Sequence, residues 1–114
     1  MISATFDEFA PSPFGWIIHR DLLAEEYGDA DNAVGTMGPH DVSDEMAVKL
    51  RNGEGYTFTM YDDDGIAYYR GKAIADDDAL GCEDFCYAPL GDFGMPDSGC
   101  TEIRWHGHKE WNCS

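Results

Sequence analysis

Tyr56 to Ile74, YTFTMYDDDGIAYYRGKAI, is the stretch from which the fold is read. Its first six residues set Tyr56, Phe58 and Met60 against Thr57, Thr59 and Tyr61, the two-residue period of a half-buried strand. Asp62-Asp63-Asp64-Gly65 then supplies a turn, with Gly65 suited to the left-handed position, and Ile66 to Ile74 returns as a second strand. An antiparallel hairpin with three carboxylates at its tip is predicted.

Upstream, Phe14 to Ile18 is an apolar, aromatic run that follows a Pro-Ser-Pro break and suits a buried strand. Arg20 to Tyr27 sets Leu22, Leu23 and Tyr27 against Glu25 and Glu26 and stops at Gly28, a short helix. Asp29 to His40 reads as irregular. A second helix is capped by Ser43 or Asp44, carries Asp44 and Glu45 in its first turn and Lys49 and Arg51 in its last, and ends before Gly53. Met46, Ala47 and Leu50 are its expected buried stripe.

Downstream, Ala75 to Gly99 is acidic and rich in Gly and Pro, and it is expected to be a long loop with one short strand near Phe85 to Leu90. Thr101, Ile103 and Trp105 alternate with charged neighbours as a strand, and Gly107-His108 is expected to turn the chain into a last strand, Lys109 to Cys113. The sum is an α+β fold, an antiparallel sheet of four or five strands with two short helices, in a single compact domain over residues 1–114. Trp16, Trp105 and Trp111 are expected in its core, because so small a domain needs them there.

Charge limits the partners. The chain carries 23 Asp and Glu against seven Lys and Arg, a formal charge of -16 on 114 residues, while its 43% hydrophobic content is enough for a core. Each half contributes -8, and Asp21 to Val48 and Ala73 to Ile103 contain no Lys or Arg. Such a molecule repels nucleic acid and acidic membranes and attracts basic surfaces. Duplex DNA carries one charge per about 1.7 Å of axis, so sixteen charges match about 27 Å of duplex, close to the diameter of a domain of this size. Neither a basic n-region with an apolar run near the N-terminus nor an 18-residue apolar stretch occurs, so no signal peptide or membrane span is expected and the protein is read as cytoplasmic, with reduced cysteines.

Motifs for chemistry are weak. With Gly65 or Gly81 at the sixth place of a calcium loop, the ligand positions fall on Met60 and Gly71, or on Leu80 and Tyr87, so turns and solvated carboxylates are the better reading. Cys82 and Cys86, with Cys100, His106, His108 and Cys113 downstream, offer zinc ligands, a disulfide or ordinary thiols, and no second short-spaced pair selects among these. His106-Gly107-His108 and Glu110 lack the spacing of cupin metal ligands. Cys100 has no base at a recognisable spacing in His19 or His40, and no phosphate loop is present. Neither an enzyme nor a cofactor is expected.

The segments Tyr61 to Tyr69 and Leu90 to Thr101 resemble small proteins of phages and mobile elements. In charge and size the chain is similar to the anti-CRISPR proteins, several groups of which imitate DNA. These share no common fold or motif, so the resemblance is one of class. It implies a basic nucleic-acid-binding protein as partner, a CRISPR effector complex in the bacterial cytoplasm, with no direct contact to nucleic acid or membrane. Asp62, Asp63, Asp64, Asp76, Asp77, Asp78, Glu83 and Asp84 are the expected contact residues, acting as one acidic surface at the hairpin tip and adjoining loop. A zinc-stapled or plain acidic interaction module is the alternative, and a small enzyme ranks below it.

Overall fold

A computed structural model describes residues 12–28 and 33–114. The expected absence of a signal peptide therefore rests mainly on residues outside the described ones, as does part of the Asp29 to His40 stretch, in which Met37–Gly38 pairs with Ile17 and Trp16 as a short strand instead of being irregular. Strands β1 (Phe14–Asp21), β2 (Met37–Gly38), β3 (Tyr56–Tyr61), β4 (Ala67–Ala75) and β5 (Glu102–Trp105) form one antiparallel sheet in the order β2-β1-β4-β3-β5. The α+β fold is as expected, and the 56–74 hairpin supplies two of the three inner strands.

The hairpin turns as its residues require. Gly65 takes φ 80°, its N–H donates to the Asp62 carbonyl, and the Asp62 N–H donates to Ile66 O, both at 3.0 Å. Asp62 Oδ1 also accepts from the Asp64 and Ile66 amides at 2.9 Å, the local bonding that suits Asp to turns. Inside the sheet, a Cβ on Gly71 would collide with the Ile17 carbonyl and the Phe58 ring, so only glycine fits this crossing point.

Two helices lie between β1 and β3 in the chain, one on either side of β2. Helix α1 (Leu22–Tyr27) is capped by Asp21, whose Oδ1 accepts from Ala24 N and whose Oδ2 accepts from Ala33 N, each at 2.9 Å. Helix α2 (Asp44–Arg51) has Ser43 as its cap and buries Ala47 and Leu50 on one face of the sheet, while Met46 stays half-buried.

The other face holds the main core. Trp16 and Ile18, Phe58 and Met60, Tyr69 and Ala73, and Ile103 and Trp105 line it. Its cover is helical, which corrects the reading of Ala75 to Gly99 as a loop with a strand near Phe85. Helix α3 (Glu83–Pro89), a π-turn (Leu90–Gly94) and helix α4 (Met95–Ser98) cross this face and carry the chain from β4 past β3 to β5. Pro89 has no N–H for the α-helical bond to Phe85, and the chain widens just beyond it, with Met95 N donating to Leu90 O five residues back. Phe85 stacks on Trp105 at 5.0 Å, and Phe93 meets Trp16 and Tyr69, so packing gives this breaker-rich segment its order.

The last expected strand is also corrected. Lys109–Trp111 is a single 3-10 turn, and of the expected residues Cys113 alone pairs, with Ile103. Asn112 Oδ1 accepts from Trp105 N at 2.7 Å, and Trp111 turns edge-on to Phe85 and Trp105. Of the three tryptophans, Trp16 and Trp105 are core residues and Trp111 is half-buried against that core. Among the described residues no helix is long and apolar enough to cross a membrane.

Candidate functional site

The eight expected contact acids form two groups rather than one. Asp62, Asp63 and Asp64 sit on the β3–β4 turn, whereas Asp76, Asp77 and Asp78 follow the far end of β4, with Glu83 and Asp84 on the first turn of α3. Nine residues of extended β4 lie between the groups, which places them about 30 Å apart. Nearness in sequence did not become nearness in space because the connecting residues form a strand. All but the half-buried Asp62 are exposed.

At the hairpin pole, one carboxylate oxygen from each of Asp62, Asp63 and Asp64 lies within 4.8 Å of the others. The Ile66 amide first, then the Tyr68 hydroxyl and Asp64 amide, hold the Asp62 carboxyl below the usual carboxylate range. Asp62 is thus committed to the turn, while Asp63 and Asp64 point their charge outward.

The far pole is richer than the sequence suggested. Asp76 and Asp77 share a groove of about 290 Å³ with Glu45 of α2 and Glu54 of the α2–β3 turn. Lys49 lies in the same groove and reaches Glu45 at 3.6 Å, so one cation meets four carboxylates there. Glu45, read as a helix-start residue, and Glu54 were not among the expected contact acids, because it is the sheet that brings α2 beside the end of β4. Both acids flank predicted element ends, and that was their only sequence signal. Glu83 and Asp84 line a neighbouring pocket of about 450 Å³ with Tyr87, Cys113 and Ser114.

Among the described residues the zinc candidates do not bring three ligand atoms within 4.8 Å of one another, although Cys82 and Cys113 lie close enough to Cys86 for their charges to act on its thiol. Cys82 Sγ caps α3 by accepting from Phe85 N at 3.4 Å, Cys113 Sγ donates to Trp111 O, and Cys100 is fully buried beside Gly94. His106 bonds Thr59 at 2.9 Å, and His108 stacks on Trp111 at 3.9 Å. Among the described residues, only Asp62, Asp63 and Asp64 bring three ligand atoms of this kind within 4.8 Å of one another. All four cysteines are free. Burial first, then the charges of Cys113 and Cys82, push the Cys86 thiol up to about 11, and burial pushes Cys100 up to about 12. Such thiols are poor nucleophiles at neutral pH.

No protein-family model matches the chain, and no curated protein or solved structure is similar to it.

Proposed function

We propose that the protein is an inhibitor of the anti-CRISPR type that imitates DNA and occupies the basic nucleic-acid-binding surface of a CRISPR effector in the bacterial cytoplasm, blocking target DNA. The observation that carries this reading is the pair of acidic poles held about 30 Å apart by the length of β4, comparable with one helical turn of duplex at about 34 Å. The strand fixes that spacing, and in this reading the carboxylates take the part of phosphates toward the partner's Lys and Arg. The class resemblance supplies the kind of partner.

Binding of this sort works by occupancy and needs neither a catalytic residue nor a cofactor. Exposed ion pairs contribute about 0.2–1 kcal/mol each, so affinity comes from many of them and falls with salt. The test is anisotropy of a labelled target duplex held by a purified effector, with this protein as competitor. Stoichiometric displacement at 50 mM salt that weakens steeply by 300 mM supports the reading. Failure to displace duplex from any of a panel of effectors counts against it.

A further inference from the structure

The sheet face that α2 partly covers gathers the cations of this acidic chain. Strand alternation and register put Arg20, Arg70, Lys72 and Arg104 on it, four of the seven Lys and Arg. Arg20 is the cross-strand partner of Arg70, Arg70 of Thr59, and Thr59 of Arg104. Like charges directly opposite one another are destabilising.

The outer two are neutralised. Arg20 makes a two-bond ion pair with Glu25, and Arg104 pairs with Glu102 while its guanidinium lies 4.6 Å from the centre of the Tyr61 ring. The inner two are not. In a chain of 23 carboxylates, Arg70 and Lys72 make no ion pair among the described residues. Glu25 is within range of the Arg70 charge but is engaged with Arg20. Arg70 Nε donates to Thr59 Oγ1 at 3.3 Å, and its Nη groups have no hydrogen-bond partner among the described residues.

A depression of about 310 Å³ opens beside these two side chains, lined also by His19, Arg20, Gly53, Thr57 and Gly71, and its surface is mostly apolar. His19 is the extra residue where the β1–β4 register shifts, and its Nε2 is buried without a hydrogen-bond partner among the described residues.

We propose that a small phosphate-bearing molecule binds at this depression, with the Arg70 fork and the Lys72 ammonium on the phosphate oxygens at its rim and the Thr57 hydroxyl beside them. Arg matches phosphate geometry with paired donors, and Lys adds a point charge. The volume is that of a small-ligand site. A polyanion is disfavoured, because the net charge of -16 repels it over its whole length while a single phosphate meets only the local cations. The site is separate from the acidic poles and does not depend on their role.

Inorganic phosphate and glycerol 3-phosphate, titrated separately and followed by 1H–15N correlation spectra against sodium chloride of equal ionic strength, test this. Saturable shifts at Arg70, Lys72, Thr57 and His19, weakened at least tenfold in R70Q/K72Q and at least threefold in K72Q alone, are expected, with R104Q binding as the parent does. Tighter binding of the ester assigns the site to a phosphorylated metabolite, and equal binding assigns it to the free anion. Linear shifts, the same shifts with chloride, retention of binding in a folded K72Q protein, or saturation by a duplex oligonucleotide at lower concentration than either phosphate would overturn the proposal.

Discussion

The indole N–H of Trp105 donates to the backbone carbonyl of Cys86 at 3.1 Å, joining the last strand to the helix that covers the core. In a regular α-helix that carbonyl would receive the Leu90 N–H, which instead bonds Tyr87 O. A side chain inserted into the helical ladder and a proline at Pro89 together account for the widened turn at Leu90–Gly94.

Trp105→Phe should therefore destabilise the protein by about 2–3 kcal/mol, because it leaves the Cys86 carbonyl buried and unpaired and thins the core. Urea unfolding followed by circular dichroism checks this. An unchanged midpoint would remove Trp105 as the anchor of the helical cover.

That anchor also explains what the sequence disclosed and what it did not. The hairpin, β1, α1, α2 and β5 were legible because each carries its own period, cap or turn residue. The segment from Glu83 to Ser98 was not, because Pro89, Gly91, Gly94 and Pro96 argue against a helix and the packing that overrides them comes from Trp105, Trp16 and Tyr69, distant in sequence. Signals were present: Cys82 before Glu83 and Asp84, and Gly99 at φ 76° as a left-handed stop. The acidic poles were legible as residues but not as places, since the separation of Asp64 from Asp76 depends on β4 being extended.

Salt should stabilise the fold. With a formal charge of -16, screening relieves self-repulsion, and the thermal midpoint is expected to rise by about 4 °C between 20 mM and 500 mM sodium chloride, roughly 1 kcal/mol. A midpoint that falls over this range would show that the ion pairs of Arg20 and Arg104 outweigh the repulsion.

Burial first, then the charges of Arg70 and Lys72, hold the His106 ring below the ordinary histidine value. The sign follows from which form the fold prefers. Neutral His106 is favoured, so its contribution to stability is fully present above the ordinary value of about 6.5 and is lost as pH falls through the lower folded value. NMR titration of His106 should give that low value, and R70Q/K72Q should raise it. No change in the double variant would contradict the assigned cause.

Thiol chemistry should divide the cysteines. Cys86 and Cys100, buried and pushed up to about 11 and about 12, are expected to resist a disulfide reagent at pH 8 until the protein unfolds, while the half-buried Cys82 and Cys113 react in the native state. Mass mapping of the modified cysteines decides it. Early modification of Cys100 would contradict its placement beneath the helical cover.

The central claim, that two separated acidic poles act together on a basic nucleic-acid-binding surface, is tested most directly by reversing each pole alone and both at once. The readout is displacement of target duplex from the effector, with variants D62K/D63K/D64K and D76K/D77K/D78K. Each single-pole variant is expected to lose about 10–100-fold in inhibition and the combined variant nearly all of it, as weak exposed pairs add across separated sites. Full inhibition by a folded protein with both poles reversed would contradict the account.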